Sequence, residues 1–233
     1  MPRQTQTDRV YDVLRADILA GRLPPGAKLP FADLCTRYST SVGVVRESLS
    51  RLSAQGLVVS EPQIGFRVTP LTHTDLLALT EARIFVEGHV IRLSIQNGDV
   101  EWEAALVAAH HTLERTSQTV PEDPHRLSEE WAAAHARFHA VALQACPNRR
   151  LLDIAESLRA SAELYRRWSV PLGASTRDVP AEHRRILAAA LAGEAEEAAA
   201  ALCDHIARTT QLLDDAATAD SPESDEVSRA PSR

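Results

Sequence analysis

The apolar positions follow two rhythms, and the change between them divides the chain. Val10, Val13, Leu14 and Ile18 recur at helical spacing, and Gly21 with Pro24-Pro25-Gly26 then ends that helix and turns the chain. Leu34, with Cys35 and Tyr38 beside it, marks a short second helix. Ser39-Thr40-Ser41 supplies turn and N-cap hydroxyls. Val45, Leu49 and Leu52 then fall at i, i+4 and i+7 on one stripe of a third helix, which Gly56 stops. Beyond Gly56 the rhythm is that of strands. Leu57-Val58-Val59 and Phe66-Arg67-Val68 flank a turn containing Pro62 and Gly65, which predicts a hairpin. Two helices across a tight polar turn followed by a hairpin form a winged helix-turn-helix, in which Arg46 and Ser50 project from the second helix. An ordinary helical hairpin in an all-α core is the alternative reading of Asp33–Val59 taken alone.

From residue 75 onward only the helical rhythm appears. The first long helix carries Leu76, Leu79, Ile84, Val86 and Val90 and closes at Gly98; a second spans 100–117. Pro121 and Pro124 break the chain, a third helix covers 127–146, and a fourth runs from Asn148 to about Trp168, ended by Pro171 and Gly173. A fifth starts after Pro180 and stops at Gly193, and a sixth runs from Glu194 to about Asp214. With no strand pattern past residue 70, the expected fold is mostly α: a winged head over 1–70, a linker at 71–74, and an all-α antiparallel helical bundle over 75–215. The acidic, polar stretch 216–233 lacks aromatic residues and reads as a disordered tail.

Charge sharpens the division. Residues 1–70 hold nine Lys+Arg and six Asp+Glu, a net of +3; the remainder has 25−9=16 basic and 32−6=26 acidic residues, a net of −10. A mildly basic head on an acidic body suits a DNA reader joined to a unit that does not touch DNA. No apolar segment approaches membrane-spanning length, so a cytoplasmic protein with no membrane partner is expected. Cys35, Cys146 and Cys203 lie far apart within helical patterns and read as reduced, packed thiols.

The candidate chemistry lies in four histidines. His135 and His139 stand four apart on one helix face, His183 opens the fifth helix, and His205 lies in the sixth. Imidazoles on facing helices can hold a divalent ion such as zinc or nickel. A lone histidine is more often a satisfied core or surface residue, as His73, His89, His110, His111 and His125 illustrate.

The order YDVLRADILAGRLPPGAKLP, then VVRESLSRLSAQGLV, then GFRV resembles the winged helix-turn-helix of GntR-type bacterial transcription regulators. The remainder resembles the FCD ligand-binding domain of the FadR subgroup. The resemblance implies a homodimer on near-palindromic double-stranded operator DNA and a small carboxylate effector held beside a divalent metal. Arg46 matches the recognition-helix arginine, and Ser41, Gly43, Arg37 and Arg67 are further candidate DNA contacts. Phe138-His139, with Asn148 after it and His183 and His205 beyond, matches the metal motif, with His135 where the family usually has Asp. Arg83 matches an arginine that reaches the effector, although an ion pair with Glu87, its i+4 neighbour, is equally open. Arg46 likewise has a surface alternative, pairing with Glu47 or Asp33.

Three departures concern the head. Val42 replaces a frequent basic residue, Val44 a frequent proline, and Phe31-Ala32 a Glu-Arg pair, so weaker phosphate contact is expected. Two functions compete with a ligand-responsive regulator. One is a metal-dependent enzyme with a vestigial head, against which Ala136 stands where an HExxH helix would place its general base. The other is a constitutive repressor without effector sensing.

Overall fold

A computed structural model describes residues 5–169 and 177–219, and in these the winged head and the helical bundle both appear. The acidic stretch from residue 220 on lies outside the described residues. Helix α1 (Gln6–Leu19) starts at a capping box in which Thr5 and Asp8 satisfy each other's backbone donors. It buries Val10, Leu14 and Ile18, while Val13 turns outward and is half exposed. Helix α2 (Phe31–Arg37) and helix α3 (Val42–Ala54) follow, with the Oγ of Ser41 capping the latter. Val45, Leu49 and Leu52 of α3 are fully buried against α1 and α2. Strands β1 (Val58–Glu61) and β2 (Gly65–Val68) pair antiparallel, Val58 opposite Val68 and Glu61 opposite Gly65, forming the wing.

The bundle opens with α4 (His73–Asn97), capped by Thr72, so the helix begins two residues before the expected start of the bundle at residue 75. It continues through α5 (Val100–Arg115), α6 (Glu129–Leu143), α7 (Arg149–Ser169), α8 (Val179–Leu191) and α9 (Ala195–Ala219). Helix α4 lies along α9 and α7, α5 along α6, and α8 along α9. Phe138, Leu106, Ile91, Ile186 and Leu202 are the large side chains at the centre. Trp102 Nε1 donates to the carbonyl of Val141 at 2.8 Å and Ser94 Oγ to that of Leu143 at 2.6 Å, so these buried polar groups are satisfied.

The expectation that no strand occurs past residue 70 is corrected. Strands β3 (Thr119–Val120) and β4 (Asp123–Leu127) form a short hairpin between α5 and α6. Pro121 falls in its turn, and two to five residues are too few for an apolar alternation to stand out. Helix α9 also runs five residues beyond the expected Asp214.

Head and bundle share a core through α7. Leu164 is buried among the hydrophobic residues of the head, Ser157 Oγ donates to Ala54 O at 3.3 Å, and Ser161 Oγ donates to Gln55 O at 3.1 Å. Gly56, in the left-handed region at φ +72°, lies so close that a Cβ there would fall 2.2 Å from Ser161 Oγ. The C-terminal end of α3 therefore rests directly on a helix of the bundle.

Candidate metal centre and DNA-reading surface

Three helices bring His135, His139, His183 and His205 together. The i, i+4 spacing stacks the first two on the inner face of α6. The N-terminal turn of α8 presents His183 and the middle of α9 presents His205. One ring nitrogen from each lies within 4.8 Å of every other, and all four residues are buried. Nitrogens around a tetrahedral zinc lie about 3.4 Å apart, from Zn–N distances near 2.0–2.1 Å. His135 Nε2 and His139 Nε2 already stand 3.2 Å apart.

Protonation favours ligation. Burial, then the Arg166 charge, holds His135 well below its ordinary range; burial, then His205, does the same for His139. Burial takes His183 down to about 2, and it lowers His205 against the opposing pull of Glu182. Neutral imidazoles are the ligating form. His205 Nδ1 donates to Glu182 Oε2 at 2.8 Å, which leaves Nε2 for a cation and supplies the orienting carboxylate that ligating histidines usually have. His183 Nε2 is buried with no hydrogen-bond partner, the condition of a nitrogen that lacks a cation. The donor set therefore fits a divalent metal.

His135 differs from the others. Its Nδ1 meets Arg166 Nη1. A guanidinium can only donate, so Nδ1 accepts and the ring proton sits on Nε2, facing His139.

Cationic side chains surround the cluster. Arg83 Nε binds the fully buried Glu87 at 2.7 Å, so the i+4 ion pair forms, yet its charge still reaches His139 and His205. Arg159 Nη1 is buried without a hydrogen-bond partner. Arg166 stacks its guanidinium on Trp131 at 5.6 Å, and Arg177 bonds Glu182 and the His205 carbonyl. Sequence reasoning missed Arg159, Arg166, Arg177 and Glu182. Arg159 and Arg166 lie seven residues apart, two helical turns on one face, and that spacing was their only signal. It also passed over His110, which is buried edge-on to Phe138 and lines a cavity of about 140 Å³ with Glu114, Trp131 and His183.

The profile of the FCD domain matches residues 78–208, and that of bacterial regulatory proteins, gntR family, matches residues 6–68. The chain belongs to the GntR family and carries an FCD domain. It is 37% identical over 206 residues to the uncharacterized HTH-type transcriptional regulator BphR of Paraburkholderia xenovorans, covering 88% of this chain and 84% of that one. It is 30% identical to the HTH-type transcriptional repressor GlaR of Escherichia coli, covering 88% and 94%. In fold it resembles E. coli McbR/YncC, with TM-score 0.72, 21% identity and 91% and 98% of the two chains covered. This GntR-family chain is a transcriptional regulator; its family and relatives are regulators, not enzymes. Its head implies DNA binding and its FCD domain a small-molecule effector. No helix among the described residues is long and apolar enough to cross a membrane.

On the regulator's head, Ser41, Gly43 and Arg46 are exposed along the N-terminal half of α3. Arg46 forms neither of the surface pairs considered for it: among the described residues no ion pair joins it to Glu47 or Asp33. Instead its guanidinium lies 4.8 Å from the centroid of the Phe31 ring. Arg37 binds Asp17 at 2.8 Å. Arg67 is engaged within the wing, donating to both Glu61 oxygens at 3.0 and 3.2 Å and to Gly26 O at 2.9 Å.

Proposed function

We propose that this regulator binds a near-palindromic operator as a homodimer and releases or reshapes its grip when a small carboxylate enters the bundle beside a bound divalent metal. The observation that carries the reading is the buried cluster of four neutral imidazoles, ringed by guanidinium groups. His135, His139, His183 and His205 would hold the cation, zinc or nickel suiting an all-nitrogen donor set. The metal would supply a point of positive charge for an anionic ligand. Arg83, Arg159 and Arg166, whose charges bear on His135 and His139, would offer donors whose planar forks match a carboxylate. Repression is the direction supported by relatives named as repressors.

On DNA, Arg46 would read a base edge while Ser41 and Gly43 allow close backbone approach in the major groove. Arg37 and Arg67, already engaged with Asp17 and Glu61, would reach phosphate only by sharing their donors. Coupling between the two ends has a physical carrier in α7. Arg166 touches His135 of the histidine cluster, and earlier on the same helix Ser161 bonds the end of α3 and Leu164 packs into the core of the head. A ligand that moved α7 would shift the recognition helix, provided it binds one arrangement more tightly than the other.

The test is direct. The purified full chain is titrated onto the duplex flanking its own gene and onto a scrambled duplex across a salt series, and its metal content is measured. Specific binding, about one metal per chain, loss of that metal in His139→Ala, and release by a small carboxylate are expected. Unchanged metal stoichiometry in His139→Ala would overturn the metal assignment. Equal effector affinity with and without operator would overturn the switch, because linkage is reciprocal.

A further inference from the structure

Arg46 does not stand alone on the recognition helix. The Phe31 ring beneath it opens α2 and meets Phe66 of the wing strand β2 edge to face, with centroids 5.9 Å apart and planes at 83°. Phe66 is itself held, because its carbonyl accepts from Leu29 N at 2.8 Å just before α2, and Lys28 bridges to Arg67 beside it. Three separate elements thus converge on one stack: β2 supports Phe31, and Phe31 supports the guanidinium of α3.

We propose that Phe31 is a positioning residue for DNA reading, holding the Arg46 guanidinium flat so that its N–H edge is presented to a base before DNA arrives. The proposal rests on the reading of Arg46 as a base contact. The two uses of the guanidinium do not compete: its carbon lies over the Phe31 ring, 4.8 Å from the centroid, whereas bidentate recognition of guanine O6 and N7 uses the N–H edge. An exposed arginine otherwise samples many rotamers, and ordering it on binding costs affinity. The Phe31–Ala32 departure therefore replaces a charged pair by an aromatic platform. It compensates in geometry for what the head lacks in positive charge, and so affects discrimination among sequences more than general adhesion to DNA.

The full-length protein first selects its preferred duplex from a random double-stranded pool, and affinities for that duplex and a scrambled one are then measured. Phe31→Leu keeps an apolar volume against Phe66 but removes the π face. It should weaken the selected duplex about two- to five-fold, the size expected of an exposed cation–ring contact. Affinity for the scrambled duplex and the slope of binding against salt should stay as in the wild type, since no phosphate contact changes. Phe31→Tyr should restore discrimination, and in an Arg46→Ala background Phe31→Leu should have no further effect. An equal loss from Phe31→Leu with and without Arg46 would make Phe31 a packing residue and overturn the proposal. Wild-type discrimination in Phe31→Leu, alongside lost discrimination in Arg46→Ala, would overturn it while leaving the Arg46 reading standing. Unchanged discrimination in Arg46→Ala would overturn both.

Discussion

Lowering the pH on the metal-stripped protein should unfold the bundle long before the carboxylates titrate. An unfolded histidine takes up its proton near pH 6.5. In the folded chain burial, the largest cause at each, keeps His135, His139 and His183 neutral well below that value, and it also lowers His205, against the opposing pull of Glu182. Between pH 7.5 and 5.5 the unfolded chain therefore binds about one more proton at each of these three sites, while the native sites bind none. Stability is fully present above pH 6.5 and is lost as the pH falls below it toward the depressed native values. His135, His139 and His183 each contribute about 1 kcal/mol or slightly more over that interval, so the three together contribute about 4 kcal/mol, and His205 adds in the same direction. That is comparable with the whole stability of an ordinary domain. Buried His110, also shifted down by burial, acts in the same direction. The assay is urea unfolding of chelator-treated protein, followed by circular dichroism at pH 7.5, 6.5 and 5.5. His183→Gln should remove about a quarter of the pH-dependent loss. An unfolding free energy that stays level from pH 7.5 to 5.5 would refute the reasoning, because it would mean that the native cluster takes up protons as readily as the open chain.

Restoring zinc to the stripped protein at neutral pH should raise its stability by about 2.7 kcal/mol when free metal is a hundred-fold above its dissociation constant, read as a shift in melting temperature. Phe138→Ala should cost about 3–5 kcal/mol by opening a cavity against His110, His139 and His183, and denaturant unfolding would show it. Gly56→Ala should cost at least about 1–2 kcal/mol from its left-handed backbone alone. It should also displace Ser161 from Gln55, visible as faster hydrogen exchange at the end of α3.

Much of this architecture was legible because helices announce themselves by period and punctuation. Gly98, Pro180 and Gly193 mark boundaries that the structure places within a residue or two. The four histidines were legible as a set of residues, since two share a helix face and two lie on later helices. Their convergence depends on how α6, α8 and α9 pack, which no local spacing encodes. For the same reason Arg166 was passed over: it reads as one charge in the run Arg166-Arg167 near a helix end, whereas tertiary packing turns it inward onto Trp131 and His135. The β3–β4 hairpin was missed because its strands are too short for a period. Phe31 was legible only as a departure; that its ring would lie under Arg46 required the wing to be in place.

In the proposed switch, the histidine at position 135 would change how the cluster and the head communicate. An aspartate there could accept from Arg166 through one oxygen and face a cation with the other, both at once. An imidazole has one lone pair when neutral, and in this fold Arg166 occupies it, leaving the proton on the Nε2 that stands 3.2 Å from His139. For His135 to join the other three as a ligand, that proton must leave Nε2, and a proton on Nδ1 would face a guanidinium that also only donates. Arg166 and a cation are thus alternatives at His135, where at an aspartate they would be companions. Arg166 displaced from the ring would be a ready partner for a carboxylate, and its own helix carries Ser161 and Leu164 against the end of α3. Under the proposed switch, a histidine at this position would therefore tie occupancy of the cluster to the seating of α7 more tightly than a carboxylate would.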